Sequence, residues 1–323
     1  MTPFVRRFLK RVQNTVATHA LWGPKESFVV AVSGGPDSLC LLDVLFLLSQ
    51  KYAFTLHIAH VNYRLRGQDS ERDEALVRER AGHYHLPLSV LYPKKTSAAN
   101  LEEKLRDIRY RFFENIRQEK NATLITVAHH EDDQAETFLL RLLRASGMRG
   151  LSAMHPKNNS VVRPLIEMSR ADILKYLKER SLTYRTDRSN TDPKFLRNRV
   201  RNELLPLLEK EYQPRIKKIL AATARTLAHD YTLIEGLTIS LEKKLTHNLQ
   251  TFSCRALLEA PPALQRHFLK SFFQPHFTKH APPKSLIDEC LKIVKSTKNK
   301  HQLLTSGSLK IERKGDTVRL LKF

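Results

Sequence analysis

Ser33-Gly34-Gly35-Pro36-Asp37-Ser38 follows the apolar run Phe28-Val29-Val30-Ala31-Val32 and precedes a leucine-rich stretch that ends near Leu48. This order predicts a strand, a tight turn and a helix. Paired glycines let successive backbone N–H groups face one side, and a helix starting near Ser38 aims its positive end at the same point. Such a cradle suits phosphate, and ATP is the expected ligand. Alone, Gly-Gly-Pro-Asp would read as a β-turn; the strand before it and the helix after it favour phosphate binding. The stretch lacks the Lys and wider glycine spacing of a Walker A loop and the three glycines of a dinucleotide fingerprint, so another nucleotide class is implied.

Four further groups of residues could take part in chemistry. Ala59-His60-Val61-Asn62 ends a second strand, where the backbone would meet an adenine edge, although a polar strand end explains His60 by itself. In His129-His130-Glu131-Asp132-Asp133-Gln134-Ala135-Glu136-Thr137, Asp132 and Asp133 stand four and three residues before Glu136, on one face of a first helical turn. Acids there also complement the helix dipole. Adjacent His129 and His130 at a strand end point opposite ways, which argues against a zinc site. The favoured reading is a carboxylate cluster facing the nucleotide, able to hold Mg²⁺ or an ammonium group. Glu102, Arg106, Arg109 and Tyr110, following Asn100-Leu101, lie along neighbouring helix faces, with a surface ion-pair ladder as the alternative. Asp187-Arg188-Ser189-Asn190 and Arg197-Asn198-Arg199-Val200-Arg201 concentrate guanidinium groups at an expected domain junction, where they could bind phosphates or carboxylates.

The elements that must position these residues alternate over the first two hundred residues. An amphipathic helix at 4–20, strands at 28–32, 54–60, 88–92 and 123–128, and helices at 38–50, 69–85, 100–119, 132–145 and 170–180 predict right-handed βαβ crossovers and a parallel sheet. The fold class is therefore α/β: a parallel-sheet adenine-nucleotide-binding domain with helices on both faces. Ligands in such sheets bind beyond the carboxyl ends of the strands. From Pro214 the pattern becomes helical, with further helices near 254–273 and 283–296. Leu309–Arg313 and Thr317–Leu321 flank Lys314-Gly315-Asp316 as a β-hairpin. The expected division is 1–212 for the catalytic domain and 213–323 for a smaller, mainly helical domain that binds tRNA.

Lys and Arg number 55 against 33 Asp and Glu, a net charge of +22, so a polyanion, most readily nucleic acid, is the expected partner. Cys40, Cys254 and Cys290 are widely spaced, which speaks against a disulfide framework, a zinc ribbon or a Cys-ligated iron–sulfur cluster and for a reducing compartment. Without a leader or a bilayer-length apolar run, a cytoplasmic protein with no membrane partner is expected.

The loop at 33–38, His60-Val61-Asn62, Arg66, the 102–110 series, the 129–137 stretch, Arg141 to Arg144, Arg163-Pro164-Leu165 and the two later motifs occur in one order over about 30–206. In that order the chain resembles the tRNA(Ile)-lysidine synthetases, a family of pyrophosphatase-loop (PP-loop) ATPases. It departs from their pattern at Tyr63, where many have His, and at Leu105, where Ala is usual. It also resembles the shorter members, so an additional C-terminal module of the longer ones is expected to be absent. The resemblance implies that ATP adenylates the wobble cytidine of an isoleucine tRNA with a CAU anticodon, and that free L-lysine then displaces AMP. It implies nucleotide contacts at Ser33, Gly34, Gly35, Pro36, Asp37, Ser38, Ala59 and His60, and catalytic roles for Asp37, His129, Asp133 and Glu136. Arg109, Arg197 and Arg201 would contact tRNA or the adenylate, Asp37 and Asp132 would hold Mg²⁺, and a homodimer is left open. The alternatives are a PP-loop tRNA sulfur transferase, which needs active-site cysteines, and a non-catalytic RNA-binding protein.

Overall fold

The computed structural model describes residues 1–94, 101–185, 195–246, 250–277, 281–297, 301–306 and 309–322, apart from the side chains of Glu102, Ser306 and Lys322. The expectations placed on Asn100, on the Glu102 side chain and on Asp187-Arg188-Ser189-Asn190 lie outside the described residues. The chain divides into two compact units, Met1–Leu227 and Ala228–Phe323. The division lies beyond the expected boundary at 212 because Ile216, Leu220 and Ala224 pack into small apolar clusters of the first unit.

The first unit runs α1 (Pro3–Thr18), β1 (Ser27–Ala31), α2 (Pro36–Ser49), β2 (Thr55–Val61), α3 (Gln68–His83), β3 (Leu88–Leu91), α4 (Leu101–Glu119), β4 (Leu124–Thr126) and α5 (Glu131–Leu142). It continues through α6 (Met148–Leu151), β5 (Lys157–Asn158), β6 (Val161–Val162), α7 (Arg170–Glu179), α8 (Leu196–Arg199), a π-helical turn (Val200–Leu204), α9 (Leu205–Glu211) and the first part of α10 (Ile216–Leu245). Side-chain alternation builds the sheet. Phe28 and Val30 of β1 and Leu56 and Ile58 of β2 join one core, while Val29 of β1, Ala59 of β2 and Ile125 of β4 join another. A sheet apolar on both faces needs helices on both faces. Val5 and Phe8 of α1, Val77 of α3 and Ile173 of α7 cover the first with α2, and Phe113 and Ile116 of α4 cover the second. Helix α2 is apolar almost all round, and Leu39 through Leu42 are at most 3% exposed, as a central helix requires.

The strand order is β3-β2-β1-β4-β6-β5, parallel except for β5 against β6. The chain therefore leaves β1 toward β2 and β3 on one side and returns to β4 and β6 on the other. This reversal opens a crevice at the carboxyl ends of β1 and β4, where ligands bind in such sheets. Both the 33–38 loop and the 129–137 stretch begin there.

The second unit holds the rest of α10, β7 (Thr251–Ser253), α11 (Cys254–Leu258), α12 (Pro262–Phe273), α13 (Lys284–Lys295), β8 (Gln302–Ser306), β9 (Leu309–Lys314) and β10 (Thr317–Lys322). The expected hairpin forms at β9 and β10, with Gly315 at φ +57° in its turn. It is the middle of a four-stranded antiparallel sheet, β7-β10-β9-β8, whose Phe252, Ile311 and Val318 share a core with Phe268, Leu269 and Ile287 of the helices.

One buried acid ties α2 to the elements around it. Asp43 is fully buried and accepts from the hydroxyls of Tyr84 and Tyr176 and from Nε and Nη2 of Arg180, at 2.9 and 3.0 Å. Removing one partner of such a pair leaves the others buried and unmatched. Asp43→Ala should therefore destabilise the first unit by about 3 kcal/mol, read from denaturant unfolding; a change below about 1 kcal/mol would show the network to be dispensable.

Candidate active site

The 33–38 loop is shaped by a glycine requirement and an internal hydroxyl pair. Gly34 has φ +88°, and a Cβ there would lie 3.2 Å from the Asp73 carbonyl oxygen. Only glycine takes both the angle and the approach without strain. Ser38 Oγ accepts from the Ser33 N–H at 3.1 Å and donates to the Gly35 carbonyl at 2.9 Å, while Ser33 Oγ accepts from the Gly35 N–H at 3.4 Å. From the far side, the Arg185 N–H donates to the Gly34 carbonyl at 3.2 Å, and its guanidinium grips Asp73 and Asp69 at 2.8 and 2.7 Å. Pro36 opens α2 behind the loop, leaving first-turn N–H groups free to face an anion.

A cleft of about 310 Å³ lies against the loop, with Ser33, Gly35, Asp37 and Ser38 on it and Tyr110 and Phe113 of α4 supplying aromatic surface. Phosphate donors beside an aromatic wall suit a purine nucleotide. Ala59 and His60, expected beside an adenine edge, do not line this cleft. Ala59 is fully buried in the core, and His60 is 3% exposed with Nδ1 2.8 Å from the Val32 carbonyl; the cleft is lined instead by Val61 and Tyr63.

Beyond β4, α5 gathers the charge. Asp133 Oδ2 accepts from the His130 N–H at 3.1 Å, closing the helix start. The buried His130 ring lies 3.4 Å from Asp133, 3.7 Å from Asp37 and 3.8 Å from Asp132. Burial works against its charged form, but the carboxylates of Asp133, Asp37 and Asp132 outweigh this and raise its pKa to about 9. Its neighbour behaves oppositely: burial, with Arg163, Arg106 and Arg197 nearby, pushes the His129 pKa down to about 3, so that ring is neutral. Arg170 bridges two acids, its N–H to Asp132 at 2.9 Å and its Nη1 to Asp37 at 3.3 Å, and Lys217 reaches Asp132 at 3.4 Å.

Arg197 and Arg201 do not stand free for RNA. Arg201 is bidentate on Glu136, Arg197 Nε donates to Glu136 at 3.0 Å, and both donate to Asp133 Oδ1 at 3.2 Å. Burial would raise the Asp133 pKa, yet His130 and the two guanidiniums hold it well below the usual carboxylate range. A second cavity of about 510 Å³ adjoins the first and shares Tyr63, Arg109 and His129 with it. Asp133 lines this cavity, whereas Glu136, 2% exposed, lies behind as the anchor of both arginines. Sequence reasoning missed Arg170, Arg185 and Lys217, whose acidic partners at the site are 38 to 133 residues away and leave no short-range signal.

The site can take Mg²⁺ only as a shared ligand. Among the described residues no group of three His, Cys, Asp or Glu could hold a metal. Asp37 Oδ1 is buried without a hydrogen-bond partner, which fits one carboxylate completing a metal bound mainly by phosphates. Asp132, already engaged by Arg170 and Lys217, fits less well.

A family profile for the PP-loop domain matches residues 2–208. The tRNA(Ile)-lysidine synthase of Geobacter sulfurreducens is 42% identical over 236 residues, 71% of this chain and 50% of that protein. The synthase of Clostridium acetobutylicum is 30% identical over 323 residues, 96% of this chain and 69% of that protein. The chain spans about half the length of the first curated relatives it matches. Among solved structures, a U34-tRNA thiolase from Methanococcus maripaludis superposes with TM-score 0.56 at 19% identity, covering 70% of this chain and 79% of that one, a likeness of fold alone.

The elevated His130 pKa gives a signed expectation. Its folded-state value of about 9 lies above the free value, so its stabilising charge is fully present below about pH 6.5 and is lost as pH rises through about 9. Wild-type protein should lose stability across that window and His130→Gln should not; parallel pH profiles for the two would show that His130 is not charged in the fold.

Proposed function

Because the chain belongs to the PP-loop family of tRNA(Ile)-lysidine synthases, we propose that it joins L-lysine to C2 of the wobble cytidine in an isoleucine tRNA with a CAU anticodon. ATP occupies the first cavity, with its phosphates against the 33–38 loop. Asp37, whose Oδ1 has no hydrogen-bond partner, would help to hold Mg²⁺, which would supply charge compensation for the departing pyrophosphate. In the first step the cytosine O2 attacks the α-phosphorus, forming adenylated cytidine and releasing pyrophosphate. In the second, the lysine ε-nitrogen forms a bond to C2 and the C2–O bond breaks, releasing AMP.

The observation that carries this reading is the pair of adjoining cavities that share Tyr63, Arg109 and His129, one lined by the phosphate loop and the other by Asp133. Asp133 is held ionised and is suited to orient an ammonium group more than to accept its proton. His129 lines both cavities and is neutral, and its Nδ1 bonds to no described residue. It offers the amine's proton a neutral nitrogen; its low pKa comes first from burial and then from the nearby guanidiniums, both of which bound phosphates would counter by stabilising the imidazolium. Glu136 positions Arg197 and Arg201 rather than meeting lysine itself.

The geometry gives sulfur transfer little support. Burial, with Asp43 and Asp37 nearby, raises the Cys40 thiol well above its ordinary value, and burial raises Cys290 to about 12. Neither is a ready thiolate. No described helix is long and apolar enough to cross a membrane, and a tRNA substrate is most accessible in the cytoplasm.

Single-turnover assays that follow adenylated tRNA and its lysine adduct separately test the assignment. Asp133→Asn should slow lysine capture or raise the lysine KM by roughly ten- to a hundredfold, the loss of one charge-assisted hydrogen bond, with adenylation changed less. Lost adenylation with normal lysine capture would instead assign Asp133 to ATP activation. With a net charge of +22, tRNA affinity should fall roughly a thousandfold between about 50 and 200 mM salt; a dissociation constant that barely moves would rule out phosphate contacts as its main source.

A further inference from the structure

The walls of the second cavity away from Asp133 have features that a lysine side chain does not need. Phe195, at the start of α8, lines the cavity while 46% exposed. Leu101 and Leu105 of α4 and the ring of Tyr63 add apolar surface. On the same lining, Arg106 forms no ion pair with a described carboxylate; its guanidinium lies 5.1 Å from the centre of the Tyr110 ring. Burial, with the Arg106 charge nearby, disfavours the protonated forms of Arg141 and Arg163. Arg197 and Arg201 on the same lining are, by contrast, held by Asp133 and Glu136. Among the described residues Arg106 is thus a cation without a carboxylate partner, beside an exposed aromatic ring. That combination recognises a single-stranded nucleotide, with the base stacked on the ring and the phosphate paired with the guanidinium.

We propose that Phe195 and Arg106 form the subsite for the target nucleotide, with the base stacking on Phe195 and an adjacent phosphate pairing with Arg106. The inference rests on the tRNA-modifying reading above and adds the residues that select and hold the base. In the second cavity the base adjoins the nucleotide cavity through Tyr63, Arg109 and His129, so its O2 can reach the α-phosphate, while Asp133 on the same lining presents the amine. The acid does not repel the RNA phosphate, because Arg197 and Arg201 already balance it.

The test uses the full chain with ATP, lysine and an isoleucine tRNA transcript, measuring kcat/KM for tRNA, the KM values for ATP and lysine, and the salt dependence of tRNA binding. Phe195→Ala should lower kcat/KM for tRNA by about ten- to a hundredfold, the effect of losing one stacked base, with the ATP KM unchanged. Phe195→Tyr should restore it to near wild type. Phe195→Leu, which keeps apolar bulk without the π face, should not, and it decides the matter if Phe195→Ala proves unstable. Arg106→Gln should flatten the salt dependence of tRNA binding by roughly one counterion. Wild-type turnover with Phe195→Ala and Phe195→Leu both fully active would overturn the inference alone. So would an Arg106→Gln defect confined to the lysine KM, which would place an amino-acid carboxylate there. No lysidine from wild-type protein would overturn the underlying reading, and the inference with it.

Discussion

The active-site region is organised by the need to balance buried negative charge. Asp37, Asp132, Asp133 and Glu136 converge where β1 and β4 end, and an uncompensated buried carboxylate costs several kcal/mol. Each is matched. His130 reaches three of them, Arg170 and Lys217 serve Asp37 and Asp132, and Arg197 and Arg201 serve Asp133 and Glu136. These cations come from α5's own N-cap, α7, α8, the π-helical turn and α10, so the later half of the first unit must close on α5 before the acids can be buried. Folding and site assembly are therefore one event.

The arginine clamp also shows how two short motifs fit. Asp133 and Glu136 are three residues apart on one helix face, and Arg197 and Arg201 are four apart across α8 and the π-helical turn. Those spacings bring two forks onto two carboxylates, with Glu136 as the buried anchor and Asp133 shared between both arginines. One acid is spent on holding the arginines so that the other can face the cavity. Across the crevice, Asp37 Oδ1 has the His130 ring at 3.7 Å but no hydrogen bond, beside the phosphate loop.

Much of this was legible in the sequence because it is local. Strand alternation, the glycine pair and the first-turn acids each act within a few residues, and the parallel sheet, the 33–38 loop and the cluster on α5 follow from them. What was not legible is long-range. The run from Leu196 to Glu211 gave no clean helical period because it is two short helices joined by a π-helical turn. The strands β7 and β8 were hidden beside helical patterns, being three and five residues long. For Arg197 and Arg201 the sequence left phosphate and carboxylate partners equally open, because the paired carboxylates they meet lie 61 to 68 residues away. His60 and Ala59 were expected to offer their backbone to an adenine edge; their side chains are buried, and Val61 and Tyr63 line the cleft.

The central claim is that two adjoining cavities bring ATP, one tRNA base and an ammonium group together in sequence. Mass spectrometry of the wobble nucleoside, after an isoleucine tRNA transcript with a CAU anticodon is incubated with the protein, ATP and lysine, tests it most directly. The account predicts that cytidine gains lysine with loss of water, with one AMP and one pyrophosphate released for each nucleoside modified. Pyrophosphate release without tRNA, or a wobble cytidine left unchanged or carrying sulfur, would contradict it.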